Sequence, residues 1–213
     1  MYRVSIVIAI IVFSISCKTK KQTDKHIDVI NMSVEQLIEL SKEKQHELNL
    51  QYADKDKSPL TAEDFSDFRS LSFYPIDAKY IVKAVFQKNP NPVSFELNTT
   101  TERVATYQKY GTMFFEIDGV KCQLPVYQNL ELIKKPEFKN HIFAPFTDLT
   151  TGGESYGGGR YLDLELPFGE KVLLDFNSAY NPYCAYNHKY SCVIPPEEND
   201  LPVAIKAGVK AYH

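Results

Sequence analysis

The pattern of apolar and polar residues divides the chain into a helical N-terminal part and a strand-rich remainder. Ser33 and Gln36 have capping-box spacing, and the apolar residues after them recur imperfectly at helical intervals, which predicts a helix over roughly 33–50. Thr61 and Asp64 repeat the capping spacing, so a second, short helix is expected there. Beyond these helices, short β-favouring runs are separated by turn clusters.

The clearest strand pattern is the segment 112–127, where the dipeptide Asp118-Gly119 lies between alternating runs and predicts a two-residue hairpin. Cys122 falls on the apolar face of the second arm and is predicted to be a small buried hydrophobe. A second hairpin is predicted from 160–166 and 171–176. The remaining predicted strands are 79–86, 93–97, 103–107 and 201–207.

These elements predict an α+β fold that is mostly β, with two N-terminal helices followed by an antiparallel β-sandwich or barrel-like domain. The chain has 213 residues and is 44% hydrophobic, which suits one domain with a proper core. No internal repeat is visible. We therefore assign 33–213 to a single globular β-rich domain.

The first seventeen residues have the pattern of a secretory signal. Arg3 precedes the apolar run 4–13, and small residues follow immediately before Cys17. This arrangement is similar to a bacterial lipoprotein signal, in which the cysteine is lipidated, for example with palmitate, and 18–32 would then be a polar tether. An ordinary cleaved signal and an uncleaved anchor are the alternatives.

Export would hold the domain at a membrane through its lipid anchor and would allow disulfides to form. Lys18 directly follows Cys17, which favours the outer membrane, with the domain facing the periplasm. The formal net charge of −3 provides no basic field, so nucleic acid is not an expected partner.

The chemistry is concentrated in the segment 156–192. The glycines 157–159 permit close backbone approach, and with Arg160 behind them they could bind an anion. No helix clearly follows, which excludes a phosphate or dinucleotide loop, and no cofactor is expected. On the following strand Tyr161 and Asp163 share one face with Glu165, and the leucines share the other, core-facing side.

Asp175 and Asn177 end the next strand, where side chains commonly hold turns and where functional sites also gather. Asp148, Glu154, Asp163 and Asp175 could perform acid–base chemistry if they converge, and a hydrolase would use Asp148, Asp163 or Asp175 as acid or base. The predicted ligand-binding residues are Asp148, Tyr156, Gly158, Arg160, Tyr161, Asp163, Asp175, Asn177 and Tyr180.

Cys184 and Cys192 have three interpretations. A disulfide is the simplest in an exported domain. A metal site with His188 is the second, although the spacing matches no common zinc pattern, and no metal is assigned. The third is a nucleophilic cysteine activated by His188, for which no orienting group can be named.

The chain resembles an uncharacterised bacterial group, the domain of unknown function 1684 family, over roughly 58–210. The resemblance implies no reaction, because the family has none established. The family pattern has no histidine at position 188, and this chain has Val209 where the family often has Glu. The matching motifs are Ser58-Pro-Leu60, Phe143-Ala-Pro-Phe146 with Asp148 and Thr150, Tyr156 to Asp163, Asp175 to Pro182, Cys184-Ala185, Cys192, Pro195-Pro196, Asn199-Asp-Leu201 and Ile205 to Gly208.

Three functions are consistent with the sequence. The first is a membrane-tethered cell-envelope lipoprotein whose segment 156–192 forms a pocket for a small molecule or an envelope protein, with Arg160 as its charged anchor. The second is an envelope hydrolase that uses paired carboxylates. The third is a purely structural lipoprotein.

Overall fold

The computed structural model describes residues 29–212, and its N-terminal part contains both predicted helices. Helix α1 spans Val34–Ala53, and Ser33 and Gln36 form the reciprocal capping box. Helix α2 spans Ala62–Asp67, and the hydroxyl of Thr61 accepts from the amide of Asp64. Short 3₁₀ turns lie at Val29–Asn31, Ala78–Tyr80, Leu132–Lys134, Pro136–Phe138, Phe176–Ser178, Tyr183–Ala185 and Glu197–Asn199.

The remainder contains the strands β1 Ile81–Lys88, β2 Ser94–Leu97, β3 Ala105–Ile117, β4 Val120–Asn129, β5 His141–Phe146, β6 Arg160–Glu165 and β7 Lys171–Asp175. They form one curled antiparallel sheet in the order β6-β5-β4-β3-β1-β7, with β2 paired to the first part of β3. This half-barrel behind two N-terminal helices confirms the predicted fold class.

The hairpin between β3 and β4 is confirmed. Ile117 pairs with Val120, and both Asp118 and Gly119 have positive φ, 52° and 78°, as a two-residue type I′ turn requires. Strand β3 is longer than expected, because it continues through an irregularity between Lys109 and Gly111. Cys122 is buried on the apolar face of β4, as predicted.

The second predicted hairpin is wrong. Strand β6 pairs with β5 and β7 pairs with β1, so the two strands lie at opposite edges of the sheet. The five residues 166–170 between them span at most about 20 Å, whereas six flat strands would separate the edges by about 24 Å. The short connection therefore requires the sheet to curl.

The curled sheet buries side chains on both faces. Ile142, Ala144 and Phe146 of β5 and Leu162 of β6 point into the main core, which we call the inner face. The alternate residues of the same strands contribute to a smaller cluster on the outer face; its members are Leu97, Ala105, Tyr107, Tyr127, Phe143, Tyr161 and Val193. The predicted division of β6 into a leucine face and a tyrosine–carboxylate face is correct.

The predicted last strand, 201–207, is not a strand. Leu201, Val203, Ile205 and Ala207 are buried at alternate positions as in a strand, which explains the prediction. Two of the carbonyls in this segment, however, accept hydrogen bonds from the Arg160 guanidinium, and not from a neighbouring strand. The Arg160 side chain thus satisfies backbone carbonyls that would otherwise need the amides of a neighbouring strand.

None of the helices in the region 29–212 is long and apolar enough to cross a membrane. The predicted signal segment, Cys17 and most of the 18–32 tether lie outside the described residues.

Candidate functional site

A groove of about 670 Å³ lies between α1 and the outer face of the sheet. Two side-chain hydrogen bonds hold α1 against the rest of the domain. Gln45 Nε2 donates to the Asn177 carbonyl at 2.8 Å, and Gln51 Nε2 donates to the Tyr183 hydroxyl at 2.5 Å. Aromatic rings dominate the walls of the groove. They are Phe73, Tyr107, Phe138, Phe143, Tyr161, Tyr180, Tyr183 and Tyr190.

Asp163 organises the polar centre of the groove. In the β5–β6 register it opposes Phe143, which makes His141 its diagonal neighbour on the same face. His141 Nε2 lies 2.8 Å from Asp163 Oδ1, and the Tyr180 hydroxyl donates to Asp163 Oδ2 at 2.7 Å. Because an ionised carboxylate only accepts, we assign the imidazole proton to Nε2. Among the described residues, His141 Nδ1 is buried without a hydrogen-bond partner.

Backbone pairing with Tyr161 places Tyr180 next to Asp163. Tyr161 and Tyr180 exchange two backbone hydrogen bonds, at 2.9 and 3.1 Å, so the chain after β7 returns to the free edge of β6. Burial, with the negative charge of Asp163 second, raises the pKa of Tyr180 well above its ordinary value. The phenol therefore stays protonated and remains a donor to the carboxylate.

Four aromatic rings form a contiguous cluster on the same face as this carboxylate. Phe143 and Tyr161 meet edge to face with centroids 4.7 Å apart, and Tyr161 and Tyr180 meet at 5.8 Å and 90°. The ring centroids of Tyr107 and Phe143 are 5.8 Å apart. The Tyr161 hydroxyl donates to the carbonyl of Val193, which fixes the wall. We call Tyr107, Phe143, Tyr161 and Tyr180 the ring cluster.

Arg103 is the cation on the sheet side of the groove. Its Nε donates to Ser191 Oγ at 3.1 Å and its Nη2 donates to the Ser191 carbonyl at 3.0 Å. Ser191 Oγ in turn donates to Thr99 Oγ1 at 2.9 Å and lies 2.7 Å from Thr101 Oγ1. Neutral oxygens thus orient the guanidinium, and within residues 29–212 it has no carboxylate partner.

Cys184 and Cys192 are free thiols in this structure, and so is Cys122, so the described residues contain no disulfide. The pair is nonetheless in contact, because the Cys184 amide donates to Cys192 Sγ at 3.1 Å. Hydrogen bonding by the Cys192 thiol lowers the pKa of Cys184 to about 6, and the same contact raises that of Cys192. The bridge stays a prediction for the exported protein.

Tyr156 and Gly158 lie behind this pair and do not line the groove. The Tyr156 hydroxyl is 3.7 Å from Cys184 Sγ, and Gly158 packs under the Tyr156 ring. His188 is exposed whereas both cysteines are buried. In the part of the chain that the structure describes, no three His, Cys, Asp or Glu side chains are grouped to hold a metal ion.

Arg160 and Asp148 lie away from the groove. Arg160 Nη2 donates to Asp148 Oδ2 at 2.7 Å, and both side chains are completely excluded from solvent. The guanidinium also donates to the carbonyls of Ile205 and Ala207, and Asp148 Oδ1 accepts from the amides of Thr150 and Ile205. The predicted anion anchor therefore has internal partners and holds the segment 201–207 to the sheet.

Asp175 and Asn177 join α1 to the sheet. Asp175 Oδ2 accepts from the buried Ser41 hydroxyl at 2.8 Å, and Oδ1 accepts from the amide and the side chain of Asn177. Asn177 also exchanges hydrogen bonds with the backbone of Asp77. These contacts are of the turn-holding kind that such strand ends commonly make.

Of the nine predicted ligand-binding residues, Tyr161, Asp163 and Tyr180 line the groove. Sequence reasoning missed His141, Arg103, Tyr107 and Phe143. His141 and Phe143 alternate with the apolar residues Ile142 and Ala144, which was a usable signal that they share one face of β5. The contact between His141 and Asp163, however, depends on the strand register. No local pattern marks Arg103.

The fold and the groove define a class: an antiparallel half-barrel closed on its outer face by an N-terminal helix, with an aromatic cleft between them. The chain belongs to the family described as Protein of unknown function (DUF1684), whose profile matches residues 66–210. It is similar to the solution NMR structure of an uncharacterized protein from gene locus rrnAC0354 of Haloarcula marismortui, at 34% identity and a TM-score of 0.66, covering 83% of this chain and 95% of that one. A comparison with curated proteins finds no match.

Proposed function

We propose that the protein is a binding module whose ligand is a small organic molecule held in the groove between α1 and the outer face. The observation that supports this most is the combination of aromatic walls with an organised carboxylate, Asp163, in one concave space. Its volume of about 670 Å³ falls in the range of small-molecule sites, and such sites place a few fixed polar groups among apolar surfaces.

A substitution that fills the groove with a large side chain tests whether the ligand binds there. Lys44 is exposed on α1 and lines the groove, whereas its neighbour Glu43 is exposed and does not. We expect Lys44→Trp to abolish binding of hits from a small-fragment library, and Glu43→Trp to leave binding intact. Binding would be followed by ligand-observed NMR on purified full-length protein in a non-ionic detergent. Hits that survive Lys44→Trp would argue against the groove as the site.

We also propose that the module is anchored to the outer membrane through lipidated Cys17 and faces the periplasm. The support is the sequence pattern of a basic residue, an apolar run and small residues before Cys17. Wild-type protein should incorporate labelled palmitate and fractionate with membranes, and Cys17→Ala should lose the label. A label that persists in Cys17→Ala would refute the assignment of this residue.

The paired-carboxylate hydrolase has less support. Asp148 is engaged by Arg160, and Asp175 is engaged by Ser41 and Asn177, which leaves Asp163 as the one of the three that lines the groove. A purely structural lipoprotein would bind none of the fragments in a groove-dependent manner, so the Lys44→Trp comparison also tests that alternative.

A further inference from the structure

Asp163 provides a negative charge in the groove, and no Lys or Arg side chain among the described residues forms an ion pair with it. Its two hydrogen-bond donors are the His141 imidazole and the Tyr180 phenol. Each carboxylate oxygen keeps further lone-pair capacity, and the side chain is 46% exposed. A carboxylate beside electron-rich ring faces is a suitable environment for an organic ammonium group.

Arg103 provides the complementary positive charge. Its partners are the hydroxyl and carbonyl oxygens of Ser191, which fix the guanidinium without neutralising it. Nη1 has no hydrogen-bond partner in the region 29–212. A guanidinium that is already oriented loses less conformational entropy when it binds an anion, and its fork suits a carboxylate or a phosphate.

Tyr107, a member of the ring cluster, lines the groove together with Asp163 and Arg103. Burial raises the pKa of Tyr107; a hydrogen bond from Asn129 and the charge of Arg103 lower it, and the charge of Asp163 raises it. The ring cluster and Arg103 therefore border the same groove. The remaining charges at the groove, Lys44 and Glu47, are exposed, of opposite sign and three residues apart on α1, so they offset each other.

We infer that the groove ligand is a small zwitterion, whose ammonium group binds at Asp163 among the rings of the cluster and whose carboxylate or phosphate binds Arg103. This inference rests on the proposed function. A simple cation would leave Arg103 unused, and a simple anion would be repelled by Asp163. Free amino acids have this pair of charges, and so do phosphate esters of amino alcohols such as a lipid headgroup.

The test compares whole zwitterions with their halves. We expect at least one member of the ω-amino acid series from glycine to 6-aminohexanoate, or phosphocholine, to bind about tenfold or more tightly than butylamine and butyrate, since a second charge-assisted contact commonly contributes that factor. Calorimetry would use the full-length protein in a non-ionic detergent, because a zwitterionic detergent would compete. A preference for the amino acids indicates a free solute, and a preference for phosphocholine indicates a lipid headgroup.

Two variants should separate the two ends of the site. Arg103→Gln is expected to reduce affinity for the zwitterion about tenfold while leaving butylamine binding unchanged, and Asp163→Asn is expected to reduce zwitterion affinity without weakening butyrate. Arg69→Gln is the matched control, since Arg69 is exposed and does not line the groove. Melting temperatures check that Asp163→Asn still folds, and Tyr180→Phe, which keeps the carboxylate, should retain zwitterion binding.

Three results would overturn the inference: halves that bind as tightly as whole zwitterions, zwitterion affinity unchanged in both charge variants, or neutral fragments that bind in the groove while no zwitterion does. The third result would leave the proposed function intact. If neither fragments nor zwitterions show binding that depends on the groove, the proposed function fails as well.

Discussion

Arg160 and Asp148 form an ion pair of 2.7 Å from which solvent is completely excluded. The pair links the start of β6 to the loop after β5, and through the carbonyls of Ile205 and Ala207 it also holds the C-terminal segment. A buried pair with this many internal partners contributes most when it is intact, because removing one member leaves the other charge buried and uncompensated.

Arg160→Met should therefore destabilise the domain strongly. We expect a loss of about 3–5 kcal/mol in the free energy of unfolding, measured by urea denaturation, because Asp148 is left buried without its cation. Arg69→Met, at an exposed arginine, is the matched control and should change the free energy by less than about 0.5 kcal/mol. Equal effects of the two substitutions would show that the pair does not support the fold.

The contact between Ser41 and Asp175 is expected to hold α1 in place. Ser41→Ala removes a buried donor from a carboxylate and should cost about 1–3 kcal/mol in the free energy of unfolding. Hydrogen exchange should show faster opening of α1 than of the sheet in this variant. Ser66→Ala, at an exposed position of α2, serves as the control, and similar exchange in both variants would contradict the assignment.

Gly157 and Gly159, two of the three glycines before Arg160, should respond differently to substitution. Gly159 has φ of 80°, and a Cβ there would lie 2.6 Å from the Phe146 carbonyl oxygen, so Gly159→Ala should lower the melting temperature clearly. A Cβ added at Gly157 would lie 3.8 Å from its nearest neighbour, the Cα of Gly152, which is an ordinary contact, so Gly157→Ala should be tolerated. Calorimetric melting of the two variants checks this; a tolerated Gly159→Ala would refute the close approach.

In the reduced protein, Cys184 should titrate at unusually low pH. Because the Cys192 thiol donates to the Cys184 thiolate, alkylation of Cys184 by iodoacetamide should rise with pH, reach half its maximum near pH 6 and then level off. Cys192→Ala removes that donor and should move the midpoint upward, toward the ordinary thiol value of about 8.5. An unchanged midpoint would show that the two thiols are not coupled.

The exported protein tests the predicted bridge separately. Mass spectrometry after alkylation without reductant should find Cys184 and Cys192 joined to each other and Cys122 alkylated only after unfolding, since Cys122 is buried on its own. Free Cys184 and Cys192 in exported protein would rule out the disulfide.

The sequence by itself determined the elements whose signals are local. The capping box at Ser33, the N-cap at Thr61 and the Asp118-Gly119 turn each depend on a few neighbouring residues. Alternation along β6 was enough to separate its leucine face from the face of Tyr161 and Asp163. Each of these features depends on backbone preferences or on side-chain periodicity, which act over short stretches of chain.

Only the tertiary structure decided which of these residues meet. Arg160 has the composition and loop context of an anion anchor, yet the fold supplies its anion from Asp148 and its acceptors from a segment 45 residues away. The same strand presents Asp163 to the opposite side, where the β5–β6 register adds His141 and the return of the chain after β7 adds Tyr180. Register and the closure of a curled sheet are set by long-range packing, so the location of the charged groups relative to water could not be read from the residues alone.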